Sequence, residues 1–268
     1  MSKDISKEPA QAVPPRLFVR WLRGGSGGFG GYLRVILSTL IIFITSQFLA
    51  IFIAIVSYNL IHPGATASSW LDNSTAAQFV YIFFGEGLVA LLVWLIVRKR
   101  GIGLAAIGLG RKPRWRDLWL ALGGFAAFYA VVLIISLIIS WLSPSTDLNQ
   151  VQSIGFDHLI SPLDQVLAFV ALVILPPLGE ETLVRGYLYS GLRASLKFWP
   201  ALLITSALFG LAHLQSGSGA FNVWAPVADT FLLSAVLVYA REKSGALYAG
   251  MAIHMINNLL AYLTHFHG

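Results

Sequence analysis

The stretch LWLALGGFAAFYAVVLIISLIISWLSPST, residues 118–146, contains no Asp, Glu, Lys or Arg. A helix needs about 20 apolar residues to cross a hydrocarbon core of roughly 30 Å, and this run is long enough. Its backbone could not satisfy its own polar groups in lipid unless it were helical. Residues 35–71, 198–228 and 244–268 are equally free of charge. Four such runs in one chain predict a membrane protein built from helices.

The composition supports this reading. Of 268 residues, 57% are hydrophobic and 11% charged, and the mean hydropathy is +0.74. Soluble domains devote about a quarter of their residues to charge. The net charge of +6 does not suggest a nucleic-acid partner, because the basic residues flank the apolar runs instead of forming one surface. With no cysteine, disulfide and thiolate chemistry are excluded. The first apolar run follows a polar, basic segment and is too long for the core of a cleaved signal, so it is read as a membrane span.

Working outward gives an all-α polytopic fold of about seven transmembrane helices, over 34–58, 78–97, 118–142, 162–190, 199–214, 222–240 and 245–263. Residues 1–31 read as a flexible cytoplasmic tail, since Pro14, Pro15 and the Gly24–Gly31 cluster oppose a helix. Residues 32–161 form a three-span region and 162–268 a four-span catalytic core. The Gly-rich linker 98–117 is expected at the interface. Lys and Arg number six in the tail and at the start of the first span (Lys3, Lys7, Arg16, Arg20, Arg23 and Arg34), none in 59–77, seven in 98–117 and none in 143–161, where the charges are Asp147 and Asp157. Arg193 and Lys197 follow the fourth span, and Arg241 and Lys243 the sixth, with uncharged segments after the fifth and seventh. The positive-inside rule then puts the N-terminus in the cytoplasm and the C-terminus outside the cell membrane. Trp115, Trp119, Trp141 and Tyr262 near span ends read as interfacial anchors.

Some charges fall inside the spans: Glu86 in the second, Glu180, Glu181 and Arg185 in the fourth, and Asp229 in the sixth. Such residues are costly in lipid, and they face a protein interior or a wet cavity. From the 1.5 Å helical rise, Glu180 lies ~16 Å deep, His213 ~21 Å, Asp229 ~18 Å, His254 ~14 Å and Asn258 ~20 Å. Four helices thus bring polar side chains to one level, which predicts an intramembrane polar cavity.

Glu181 and Arg185 are i,i+4 neighbours and can compensate each other. Glu180 is rotated about 100° away and lacks that partner, so it is the better general base. His254 and Asn258 share a face of the seventh span, and His213 completes the set. The chemistry suggested is hydrolysis. A carboxylate takes a proton from water, one imidazole orients that water, and a second imidazole with an amide stabilises an oxyanion. Pro176, Pro177 and Gly179 should break or kink the fourth span and make room for water. Gly210, Gly217–Gly219 and Gly250 permit close approach or local irregularity.

Each residue also has a plainer reading. Glu181–Arg185 works as a structural pair, and either histidine as a helix-to-helix hydrogen bonder. Asn257 competes with Asn258 for one role. Asp229 reads as an acceptor for a histidine or for Arg185, and Glu86 as structural or cavity-lining. Two histidines and a glutamate could bind zinc, although the chain lacks an HExxH helix. His265 and His267 read as solvated residues of the outer tail.

Three motifs carry a resemblance. Glu180-Glu181-Thr-Leu-Val-Arg185 is EExxxR, Phe209-Gly-Leu-Ala-His213 is FxxxH, and His254-Met-Ile-Asn-Asn258 is HxxxN. In this order, each on its own span, they resemble the CPBP intramembrane proteases, which include CAAX prenyl endopeptidases and bacteriocin-processing and self-immunity proteins. The resemblance covers about 162–263, and the short loops are similar to bacterial members. It implies a glutamate-dependent peptidase without bound metal or other cofactor, acting on a peptide or lipid-modified protein among membrane lipids. Glu180 and His213 would activate water, His254 and Asn258 would form the oxyanion site, and Glu181 and Arg185 would support them. The rival classes are a membrane scaffold or immunity protein that binds peptide without cutting it, a zinc-dependent membrane hydrolase, and a transporter.

Overall fold

The computed structural model describes residues 29–62, 70, 74–146, 155–156, 159–216, 222–223 and 225–267. Its main elements are the helices α1 (Phe29–Ile61), α2 (Thr75–Lys99), α3 (Trp115–Leu142), α4 (Pro162–Arg193), α5 (Phe198–Ala212), α6 (Ala225–Ser244) and α7 (Tyr248–His267). A 3-10 turn, Leu104–Ile107, lies between α2 and α3. Among the described residues, extended pairing is confined to β1 (Gln215–Ser216) and β2 (Asn222–Val223), with Gln215 opposite Val223. Most of the expected tail, along with Asp147, Asp157 and Gly217–Gly219, lies outside the described residues. The first helix begins at Phe29, five residues before the expected start, so it takes in Gly30 and Gly31.

Residues 31–61 of α1, together with α2, α3 and α4, are long and apolar enough to cross a membrane, while α5 is apolar but shorter. The polar side chains of α6 and of α7 (His254, Asn257 and Asn258) keep those 20-residue helices below that level of apolarity. Outward faces are strongly apolar. On α3, Leu133, Leu137, Trp141 and Leu142 are each at least 60% exposed, a surface that water would not tolerate. Trp115, Trp119 and Trp141 are exposed at the ends of α3, as anchors would be. Tyr262 is not an anchor. It is buried, stacks edge-on against Phe169 and donates to the Gln165 carbonyl at 3.1 Å.

Among the described residues, buried side chains form three clusters. Val35, Val89, Val93, Tyr187, Leu192 and Phe209 tie α1, α2, α4 and α5 together. Ala121, Phe128, Leu237, Ala249 and Ile253 join α3, α6 and α7, and Ala168, Ala171, Val173 and Tyr262 join α4 and α7. The linker after α2 packs Ile102, Ala106 and Ile107 into the first cluster and reaches α3 and α7 through Arg111. Arg111 makes paired hydrogen bonds to Asp117 at 2.5 and 2.7 Å, which hold the guanidinium above its ordinary pKa. Tyr248 donates to the Arg111 carbonyl at 2.6 Å.

The fourth helix departs from regular winding, and its sequence explains why. It starts with a capping box: the Ser161 hydroxyl accepts from the Asp164 N–H, Asp164 accepts from the Ser161 N–H, and Pro162 opens the first turn. Pro176 then offers no N–H to the Leu172 carbonyl four residues back, and its ring crowds that turn. Of the expected break or kink, the break does not occur: the chain stays helical throughout, widened into π-helical winding at Val170–Ile174 and again at Glu181–Tyr189. Such insertions often mark functional segments. Every residue of the second one is buried.

Candidate active site

The second π-helical segment carries Glu181 and Arg185, and neither side chain is exposed. Arg185 Nη1 donates to Glu181 Oε1 at 2.8 Å. The same oxygen lies 3.2 Å from His254 Nδ1 on α7. One carboxylate oxygen therefore joins α4 to α7. The approach is close enough that a Cβ at Gly250 would sit 2.9 Å from Glu181 Oε2. The rest of the guanidinium lies over the Phe209 ring, 4.3 Å from its centroid, a cation–π contact.

Phe209 holds more than the arginine. Its ring meets His213 at 4.7 Å and His254 edge-on at 6.2 Å. Its carbonyl accepts from His213 Nδ1 at 2.8 Å. Because a carbonyl can only accept, Nδ1 carries the hydrogen and Nε2 is left to the cavity. His213 is the residue that ends α5, with φ −98° and ψ 9°. The expected span 199–214 likewise put it beside the outer end of the helix.

Glu180 points elsewhere than Glu181. Its side chain is 24% exposed, and its Oε2 lies 3.9 Å from His254 Nε2. It lines a cavity of about 290 Å³ with Thr39, Gln47, Glu86, Phe209 and His213. A second cavity of about 530 Å³ is lined by Tyr129, His213, Asp229, His254, Asn257 and Asn258. His213 borders both. The structure thus brings Glu180, His213 and His254 together, with Glu181 and Arg185 behind them. Asn258 shares the second cavity, and its Nδ2 donates to the Leu172 carbonyl at 2.9 Å. This is the carbonyl that Pro176 leaves without a donor. Asn257 accepts from Tyr129 at 3.1 Å, so the two asparagines do different things.

The expected pair of Glu181 with Arg185 is present, so Arg185 is not held by Asp229, which lies in the second cavity with His213 and His254. His265 borders that same cavity, although its residue is exposed; the His267 side chain lies outside the described residues. Glu86 and Phe209 were undervalued. A lone charge in the apolar run 78–97 was the signal for Glu86. Phe209 stood in a quoted motif, but nothing in the sequence tells that its ring and carbonyl serve three neighbours.

Fold and site together define an α-helical membrane protein with a carboxylate, two imidazoles and a buried ion pair around internal cavities. Residues 162–260 match the family described as type II CAAX prenyl endopeptidase, Rce1-like. An uncharacterized 24.3 kDa protein of Escherichia coli is 30% identical over 190 residues, 68% of this chain and 80% of that one. The chain belongs to the Rce1-like family of CAAX-type intramembrane endopeptidases. No solved structure matches it.

Proposed function

We propose that the chain is a glutamate-dependent intramembrane endopeptidase that hydrolyses a peptide bond in a hydrophobic or lipid-modified substrate. The observation that carries this reading is the division of labour between adjacent glutamates. Glu181 is engaged by Arg185 and His254, while Glu180 faces a cavity beside His213. Glu180 accepts a proton from water, and His213 orients that water through Nε2. As the carbonyl becomes tetrahedral, His254 and the second N–H of Asn258 serve its oxygen. Glu181 and Arg185 fix the His254 ring. Residues 162–268 are the catalytic core in this reading, and all seven helices cross the membrane with the N-terminus inside and the C-terminus outside.

The test is cleavage of a quenched fluorescent peptide ending in a farnesylated Cys-aliphatic-aliphatic-X sequence, beside an unmodified hydrophobic peptide library. Purified wild type should cut at least one of these, and Glu180→Gln should cut it at least about 100-fold more slowly. Wild-type rates on Glu180→Gln would defeat the assignment. Peptide binding without cleavage by wild type would favour the scaffold class.

A further inference from the structure

Helices α2 and α4 approach closely beside the proposed base. A Cβ at Gly179 would collide with Glu86 Oε2 and would lie 3.0 Å from both the Cβ and the backbone oxygen of Glu86. Only glycine allows this contact. The Glu86 carboxyl is thereby held against the residue that precedes Glu180, and both line the 290 Å³ cavity. In each, Oε2 is buried without a hydrogen-bond partner.

Among the described residues, none makes a hydrogen bond to Oε2 of either carboxyl, and the cations nearest the pair are held by other partners or stand off from it. From α1 come Thr39 and Gln47, which do not titrate, and Gln47 accepts from Tyr81 of α2. From α5 comes His213, whose Nδ1 is committed to the Phe209 carbonyl. Within α4, Arg185 is paired with Glu181. From α7, His254 Nε2 lies 3.9 Å from Glu180 Oε2. Two carboxylates ionised side by side in such a setting repel strongly. One proton between them removes the repulsion and supplies an O–H···O⁻ bond.

We propose that Glu86 is a positioning residue of this site: it holds a proton and donates it as a hydrogen bond to ionised Glu180, fixing the base toward the water it activates. This rests on the peptidase reading for its consequence, but the shared proton can be detected without any substrate. The full-length protein in lipid nanodiscs is examined by infrared difference spectroscopy during pH titration. Wild type should display the carbonyl stretch of a protonated carboxyl at neutral pH, and Glu86→Gln should lack it. Glu180→Gln removes the neighbouring charge, so the band should vanish about one pH unit or more lower than in wild type. In the cleavage assay with the farnesylated peptide, Glu86→Leu takes away the donor. The acid limb of its kcat/KM profile should move up by about one pH unit or more. Glu86→Gln keeps an N–H donor and should move it less. A wild type without the band, a band that survives Glu86→Gln, or a midpoint unchanged in Glu180→Gln would overturn the proposal. So would an acid limb that stays in place in folded Glu86→Leu; should that variant not fold, the infrared comparison decides. If wild type cleaves nothing, the peptidase reading fails while the infrared result still stands.

Discussion

Glu181 does with one oxygen what usually takes two residues: it accepts from Arg185 and meets His254. Removing either member of a buried ion pair costs about 3–5 kcal/mol, because the other is left charged and alone. Glu181→Gln and Arg185→Ala should therefore lower the melting temperature in detergent and reduce activity together. Arg185→Ala also removes the contact with Phe209 and should be the worse of the two. Glu180→Gln should behave oppositely, melting close to wild type while losing roughly 10²–10⁴-fold in cleavage rate, the usual contribution of a positioned base. A Glu180→Gln protein that melts as low as Glu181→Gln would show that the two carboxylates do not divide the work. The different surroundings of the two carboxylates were legible in the sequence, because i,i+4 spacing singled out Glu181 and left Glu180 unpaired. The role of Phe209 was not, since an aromatic in an apolar helix looks the same whether it packs on lipid or on a guanidinium.

At the level of single elements, α4 carries its own irregularity and α7 repairs it. Pro176 leaves the Leu172 carbonyl without its helical donor, and Asn258 supplies one from across the bundle. An orphaned buried carbonyl costs about 1–3 kcal/mol. Asn258→Ala should lose stability of that order, and Pro176→Ala in the same background should recover part of it by restoring an N–H. Additive effects in a thermal-melt double-mutant cycle would refute the link. Gly179→Ala tests the neighbouring contact. Its new methyl would meet Glu86, so α2 and α4 must separate, and both melting temperature and cleavage should fall. The sequence announced trouble near Pro176–Gly179 but suggested a break, because it does not reveal that a distant amide makes π winding tolerable.

For the molecule as a whole, charge-free runs gave α1 and α3 directly, while α2 and α4 had to be read through internal charges, and helix ends moved by a few residues. Tyr262 was misread because interfacial and buried tyrosines share the same address near a helix end. Topology is the sharpest remaining test. A reporter fused after Gly268 should be accessible from outside the cell, and one fused before Met1 should not; a cytoplasmic C-terminus would contradict seven crossings. Cleavage should also survive chelation, and activity lost with a single extracted zinc would return the site to the metal-dependent class.

The 290 Å³ cavity is bordered by Leu40 and Phe43, both exposed on the outer apolar side of α1. A substrate that reaches Glu180 past these residues arrives from the bilayer and not from bulk water. Its effective concentration is then a mole fraction among lipids. Adding inert phospholipid at fixed enzyme and substrate should slow cleavage in proportion to the dilution within the membrane, whereas enlarging the aqueous volume at constant lipid should leave the rate per enzyme unchanged.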